Sequence, residues 1–202
     1  PAQLLKDINT TTKSTSFGLD YAQINGILYY SADNNNGSGT ELWRTDGTTN
    51  GTYIVKDIRA GVNSSAPVNF TVVGNRLAFR ALGDIYTNSQ VLYISDGTTA
   101  GTKPLLGGWD SNVKASFKGQ LYFASGGTDN TFHVRRTDNT GYGTSLFFQT
   151  PNVMFTTGLM MATDSFLYFS TTDASSITQL WRTDGTPSGT ILLTTINIAF
   201  GL

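Results

Sequence analysis

The chain has 202 residues, of which 13% are charged and 12% are aromatic, and its formal net charge is −1. A charge this close to zero gives no electrostatic footprint for nucleic acid, and the absence of cysteine excludes disulfides and thiolate metal sites. No run of 18 apolar residues occurs, so we expect no membrane insertion as a helix.

The first element in chain order is a short apolar segment, LLKDI, at residues 4–8. It closely matches IVKDI at residues 54–58, which follows a Gly-Thr pair and is predicted to be the last strand of a repeat. The sequence therefore predicts that the chain contains an extra strand of this type ahead of its first complete repeat.

Four similar strands come next, each directly after a turn pair such as Asn25-Gly26. They read ILYY, RLAF, QLYF and FLYF, and they begin at Ile27, Arg76, Gln120 and Phe166. Asn-Gly favours a tight hairpin because both central residues need a positive φ. Both faces of these strands are mostly apolar, which predicts sheets that are buried on both sides.

A turn with the pattern Asp-x-Thr stands further along each repeat, after a third strand such as ELWRT. A Gly-Thr pair begins three residues after the threonine of that turn. The predicted turn residues are Asp46, Gly47, Asp96, Gly97, Asp138, Asp184 and Gly185. The aspartates can accept backbone N–H bonds, and Gly47 and Gly51 are predicted to adopt positive φ. An aromatic residue stands three positions before most of these aspartates and is predicted to pack between repeats. We expect the turns to stabilise the fold and to have no catalytic role.

The spacings between the turns, 50, 42 and 46 residues, indicate a repeat of four short antiparallel strands. Repeats of this kind favour an all-β fold, a β-propeller of about four four-stranded antiparallel blades. An open stack of repeat sheets closed by another chain is the alternative. Residues 1–202 are predicted to be a single repeat domain, with repeats at approximately 9–58, 59–106, 107–149 and 150–196.

The segment ELWRTDGTTNGTYIVKDI at residues 41–58 resembles the ELWxxDGTxxGT repeat of large bacterial secreted and surface proteins. Residues 91–102 and 179–190 resemble it well, and residues 133–144 resemble it weakly. The resemblance implies a β-propeller-like, non-catalytic protein that is extracellular or on the cell surface, and it implies no defined ligand. Arg135 departs from the pattern, because it replaces the aromatic residue of the third repeat.

The sequence contains no recognisable catalytic constellation, so no enzyme activity, metal or cofactor is predicted. His133 is the only histidine, which leaves no pair for a zinc site. The loop from Asp33 to Gly37 lacks the further acidic ligands of a calcium loop and is predicted to be a polar connection. A spatial pair of carboxylates for glycoside hydrolysis stays open, since a sequence does not display it.

Two aromatic residues interrupt the repeat and are the candidates for ligand binding. Trp109 and Tyr142 stand where the other repeats have small or polar loop residues, and Arg135 and Arg136 are nearby in the sequence. Exposed rings beside hydrogen-bonding side chains suit stacking on a sugar. The alternative is that Trp109 fills the core.

The predicted function is a structural or adhesive module that self-associates through its terminal strands, into fibres if the contact does not close. The LLKDI segment and the uncharged stretch ILLTTINIAFGL at residues 191–202 supply those strands. Unpaired apolar strands invite pairing, either within one ring or head to tail between molecules. The alternative function is a lectin-like propeller that binds a glycan.

Overall fold

A computed structural model describes residues 4–9, 17–83, 89–109, 113–126, 132–138, 143–150, 158–173 and 177–197 of the chain. These residues form sixteen strands in four sheets, and none of them lies in a helix. Accordingly, the described ranges hold no helix of the length and apolarity needed to span a membrane.

Each sheet consists of four consecutive strands. The first sheet contains β1 (Phe17–Ile24), β2 (Ile27–Asp33), β3 (Thr40–Thr45) and β4 (Tyr53–Lys56). The second contains β5 (Val68–Val73), β6 (Arg76–Leu82), β7 (Gln90–Ser95) and β8 (Lys103–Trp109). The third contains β9 (Lys114–Phe117), β10 (Gln120–Gly126), β11 (Phe132–Thr137) and β12 (Thr144–Thr150). The fourth contains β13 (Met160–Ala162), β14 (Leu167–Thr172), β15 (Ile177–Thr183) and β16 (Ile191–Asn197).

The strands of each sheet lie side by side in chain order and pair antiparallel. The prediction of an all-β propeller with about four four-stranded antiparallel blades is therefore confirmed. The chain divides into two compact units, residues 1–105 and 106–202. The first unit holds the first sheet and most of the second, and the second unit holds the third and fourth sheets.

Tight hairpins fix the register of the first two strands of a sheet. Asn25 and Gly26 have φ values of 51° and 80°, and Lys118 and Gly119 have 49° and 74°. Two consecutive residues with positive φ form the hairpin turn whose twist matches that of the strands. The turn between β1 and β2 therefore has the conformation predicted from Asn-Gly.

Within each unit, one face of a sheet packs on the opposite face of the next sheet. We call the face that a sheet turns toward the following repeat its forward face, and the other its backward face. In the first unit, Tyr29, Leu42 and Val55 on the forward face of the first sheet share a core with Phe79 and Tyr93 on the backward face of the second.

The second unit repeats this arrangement with other side chains. Tyr122 and Phe147 on the forward face of the third sheet share a core with Leu167, Phe169 and Trp181 on the backward face of the fourth. The rings of Phe169 and Trp181 are stacked with centroids 6.4 Å apart. Of the aromatic residues before the turns, Tyr93 and Trp181 thus pack between repeats as predicted, whereas Trp43 packs with Tyr30, Ala32 and Ile8.

Candidate functional site

The repeat turn is built around one aspartate. Asp46 Oδ1 accepts hydrogen bonds from the Thr48 backbone N–H at 2.9 Å and from Thr48 Oγ1 at 2.7 Å. Thr48 Oγ1 in turn accepts the Gly51 N–H at 2.9 Å. The turns at Asp96 and Asp184 contain the same three bonds.

These hydrogen bonds stabilise the ionised carboxylate. The bond from the Thr48 hydroxyl, followed by that from the Thr48 amide, lowers the pKa of Asp46 below its ordinary value. The equivalent bonds from Thr186 lower the pKa of Asp184. Both carboxylates therefore carry their charge at neutral pH, and one oxygen of each, Oδ1, is bonded within the turn, as a structural role requires.

The two glycines of each turn are present for different reasons. Gly47, Gly97 and Gly185 have φ values of 86°, 87° and 96°, which confirms the prediction for the first glycine. The same prediction for Gly51 is wrong, because Gly51 is absent from the residues with positive φ. A Cβ atom at Gly51 would instead lie 1.9 Å from Asp46 Oδ1. The second glycine is thus required by the carboxylate folded over it.

The turns also hold the preceding repeat in place. Thr99 Oγ1, in the turn of the second sheet, donates to the Val55 carbonyl at 2.7 Å. Lys56 Nζ donates to the Thr102 carbonyl at 2.8 Å. The outer strand of the first sheet is thereby fixed to the turn of the second by one hydroxyl and one ammonium group.

In the second unit, cations from the third sheet bind the turn of the fourth. Lys118 Nζ donates to the Asp184 carbonyl at 2.8 Å, and Arg136 Nη1 donates to the Gly185 carbonyl at 3.0 Å. The Arg136 guanidinium also lies 5.2 Å from the centroid of the Phe147 ring. Arg136, which sequence reasoning placed among ligand-binding candidates, thus joins two sheets.

The segment at residues 4–8 lies on the first turn in the way that residues 54–58 lie on the second. Thr49 Oγ1 donates to the Leu5 carbonyl at 3.0 Å. Lys6 Nζ donates to the carbonyls of Thr52 at 2.6 Å and Thr49 at 3.2 Å. Residues 4–8, predicted to be an extra strand, therefore lie on the backward side of the first sheet, in the place of an outer strand from a preceding repeat, but they do not form a strand.

A cavity of about 320 Å³ lies between this segment and the backward face of the first sheet. Leu5, Ile8, Leu28 and Tyr30 supply most of its apolar lining. Ile8 packs against the buried cluster of Tyr30, Ala32 and Trp43. Among the described residues of the first unit, one short segment covers the backward face of the first sheet.

The outer strand of the fourth sheet differs from its counterparts in exposure. Val55, Leu105 and Phe147 occupy equivalent positions in the first three sheets and are 1%, 4% and 8% exposed. Leu193 occupies that position in β16 and is 43% exposed. Ile191, two positions earlier in β16, is 41% exposed. The forward face of the fourth sheet thus presents apolar side chains to solvent.

One buried carboxylate was missed by sequence reasoning. Glu41 in β3 is fully buried and accepts the backbone N–H groups of Ile58 and Ser65, each at 2.9 Å, and the Ser65 hydroxyl at 2.5 Å. Burial raises the pKa of Glu41 to about 7 despite these bonds. Glu41 thereby anchors the irregular connection between β4 and β5. A glutamate inside an otherwise apolar strand was the only signal.

Of the other ligand-binding candidates, only Arg135 has its side chain among the described residues. Trp109 is the last residue of β8, and Tyr142 lies outside the described residues. Arg135 is adjacent to Arg136 in β11, so their side chains lie on opposite faces of the sheet. Sugar binding by these four residues remains a prediction.

The polar loop after β2 and the single histidine show no ligand geometry. Asp33 Oδ1 accepts the Asn35 N–H at 2.7 Å, and Asn34 Oδ1 accepts the Asn36 N–H at 3.2 Å. His133 lies in β11, half-buried. Groups of three or more histidine or acidic residues that could hold a metal do not occur in the described part of the chain.

Comparisons with known proteins bear on the fold. No family model matches the chain, and no curated protein matches its sequence. Among solved structures, it is similar to ligand-free prolyl oligopeptidase B from Galerina marginata, with a TM-score of 0.57 and 15% identity over 91% of this chain and 31% of that one. The same enzyme bound to a 35mer hydrolysis and macrocyclization substrate gives 0.54 and 13%, over 89% and 30%.

The structure of a carbohydrate-acting enzyme is also similar to that of this chain, with a lower TM-score. The α-L-arabinofuranosidase CtGH43 from Clostridium thermocellum has a TM-score of 0.43 and 17% identity, over 93% of this chain and 74% of that one. The chain spans less than a third of the prolyl oligopeptidase. At these identities the likeness concerns the fold alone.

Proposed function

We propose that this chain is a non-catalytic structural module, extracellular or on the cell surface, that self-associates head to tail through two apolar sheet faces. The observation that carries the proposal is Leu193, which is 43% exposed where Val55, Leu105 and Phe147 are almost fully buried. A repeat that leaves its forward face open has a surface shaped for another repeat.

The two faces are complementary in kind. Within each unit, a forward face packs on a backward face. The fourth sheet has an open forward face, and the first sheet has a backward face covered by the segment at residues 4–8. A contact between these different surfaces on two copies is heterologous, so it propagates into a fibre unless its rotation closes a ring.

The energetics favour such a contact. Ile191, Leu193 and Met161 are each between 41% and 51% exposed. Complete burial of an apolar side chain of this size contributes about 1.5–3 kcal/mol. An edge strand such as β16 also offers unpaired backbone groups to another chain. Burial of the apolar side chains, together with pairing of these backbone groups, would offset part of the entropy that association costs.

The carboxylates support a non-catalytic role. Asp46, Asp96 and Asp184 are bonded to amides and hydroxyls of their own turns. Glu41 is inaccessible to a substrate, because it is fully buried. The aspartates stabilise their own turns, and Glu41 holds the connection between β4 and β5.

The proposal is tested by measuring particle mass against concentration with sedimentation velocity and light scattering. The wild-type protein should form larger species as its concentration rises, and Met161→Lys should remain monomeric because it places a charge on the forward face of the fourth sheet. Val62→Lys is the matched control, since Val62 is 80% exposed on the connection after β4 and should not alter association.

Two results would count against the proposal. A wild-type protein that stays monomeric up to its solubility limit would refute self-association. Association that is unchanged by Met161→Lys would remove the forward face of the fourth sheet from the contact. Binding to a glycan array by a strictly monomeric protein would favour the lectin-like alternative.

A further inference from the structure

We propose that residues 4–8 of one copy replace residues 192–196 of a second copy as the outer strand of the second copy's fourth sheet. The inference rests on the proposed self-association and names the strand exchange that produces it. The partner is a second copy of this chain, and the recognised element is β15.

The two segments have the same apolar pattern. Residues 4–8 read LLKDI and residues 192–196 read LLTTI, so both contain Leu-Leu-x-x-Ile. Either segment therefore supplies the same apolar side chains in the same order to a neighbouring strand.

The pairing register of the outer strand is the same in the first and fourth sheets. In the first sheet, Lys56 of β4 lies opposite Leu42. In the fourth sheet, Thr194 of β16 lies opposite Leu180. Both sheets have an irregularity directly after this pair. Because Lys6 corresponds to Lys56 on its turn, it would lie opposite Leu180 in the exchanged sheet.

Each segment performs only one of the two functions of a complete outer strand. β4 pairs with β3 and also binds the turn of the next sheet through Val55 and Lys56. β16 pairs with β15, but its Leu193 remains exposed. Residues 4–8 bind a turn through Leu5 and Lys6, yet no strand pairing is seen for them in the described part of the chain.

In a head-to-tail contact, residues 4–8 of one copy and β16 of the other would compete for the same position against the first turn. If the forward face of the fourth sheet packs on the backward face of the first sheet of another copy, both segments would occupy the position against the first turn. One segment must leave. The resulting strand would pair with β15 of one copy and bind the turn at Asp46 of the other, as β4 does within the first unit.

The chemistry of the turn selects residues 4–8. Lys6 Nζ donates to two carbonyls of the first turn, whereas β16 has Thr194 at the equivalent position and no ammonium group to reach them. Leu4 and Leu5 are 80% and 44% exposed and would become covered by β15 and its neighbours. Departure of β16 exposes little further apolar surface, because its leucines are already partly in water.

The absence of native cysteine permits a disulfide test in the full chain. Asp7 corresponds to Thr195, which lies opposite Gln179 in β15. Asp7→Cys and Gln179→Cys are made in separate chains, mixed at a concentration where the wild type associates, and oxidised. Exchange predicts a covalent heterodimer on a non-reducing gel. Asp7→Cys with Thr178→Cys, one residue out of register, should crosslink roughly tenfold more slowly because disulfides require close, aligned Cβ atoms.

The outcomes separate this inference from the proposed function. No heterodimer in a sample whose wild type self-associates would overturn the exchange and leave self-association intact. A wild type that stays monomeric, with no heterodimer, would overturn both. A chain carrying both substitutions that crosslinks only within itself would show that the strand is accepted within one chain, and it would overturn exchange between copies. Circular dichroism of each variant confirms that it is folded.

Discussion

The outer strands of the first and fourth sheets have the same position in the repeat and different surroundings. Val55 in β4 is 1% exposed, and its carbonyl accepts the Thr99 hydroxyl of the next turn. Leu193 in β16 is 43% exposed. The difference shows that a repeat does not bury its own forward face: the following repeat completes it, as in other stacked architectures.

The two strands also differ in how they can be held. Lys56 follows Val55 and binds the Thr102 carbonyl of the next sheet. Thr194 follows Leu193, and its short side chain has no ammonium group that could donate to a carbonyl of another sheet. Of the five-residue segments that resemble an outer strand, only residues 4–8 and 54–58 contain the lysine that binds a turn. The outer strand that is left exposed, β16, and the segment whose lysine binds a turn, residues 4–8, therefore lie in different parts of the chain.

The largest effect is expected when a charge is placed at the two equivalent positions. Val55→Asp should lower the free energy of unfolding by about 4 kcal/mol or more, because it buries an unpaired carboxylate between sheets. Leu193→Asp should change it by less than about 0.5 kcal/mol in the monomer, because the new charge stays hydrated. Urea unfolding at a concentration below the onset of association measures both.

Equal losses of unfolding free energy in Val55→Asp and Leu193→Asp would contradict the difference in burial between the two positions. They would mean that Leu193 is covered in the monomer in solution. Val55→Ala and Leu193→Ala provide a milder pair if Val55→Asp does not fold. The alanine variants should preserve the order of the two effects.

A second prediction contrasts Glu41 in the first sheet with Gln179, its counterpart in the fourth. Burial raises the pKa of Glu41 from 4.5 to about 7. Between these values the folded chain keeps a proton that the unfolded chain releases, so the free energy of unfolding falls as pH rises through this window. The loss amounts to on the order of 3 kcal/mol.

Glu41→Gln isolates this effect. The variant cannot ionise, so the difference in stability between wild type and Glu41→Gln should shrink as pH rises from about 4.5 to about 7. Urea unfolding at several pH values in that interval tests the sign. A difference that is constant or grows with pH would show that the three hydrogen bonds to the carboxylate outweigh its burial. Gln179→Glu is the matched control in the fourth sheet, where the position is only half-buried.

The sequence predicts the repeat architecture well because its markers are local. The turn pair at Asn25-Gly26 and the turn at Asp46 each depend on residues within a few positions, and both have the predicted conformation or hydrogen bonds. The resemblance of residues 4–8 to an outer strand was also visible in the letters alone.

Features that depend on distant parts of the chain were not predictable in the same way. Glu41 is bonded to Ser65, which is 24 residues away on an irregular connection. The Arg136 guanidinium reaches a carbonyl 49 residues away. The requirement for glycine at position 51 is also spatial. The Asp46 carboxylate leaves no room for a Cβ atom there, whereas the backbone φ of Gly51 makes no such demand. The sequence shows the chemical type of each side chain, but it does not show which residue of another sheet that side chain contacts.

The smallest expected effect tests whether a turn depends on its place in the array. Asp96 belongs to the second sheet and Asp184 to the fourth, and their carboxylates accept the same two bonds. Asp96→Ala and Asp184→Ala should each lower the melting temperature by roughly 2–4 °C, with little difference between them.

Because hydrogen bonding lowers the pKa of Asp184 from its ordinary 3.8, the contribution of this carboxylate to stability should be present above that pH and lost as pH falls below it. Differential scanning calorimetry of both variants at neutral and acidic pH measures this. A much smaller loss at Asp184 would show that the open outer strand has already weakened its turn, whereas loss of assembly at unchanged melting temperature would place Asp184 in the contact itself.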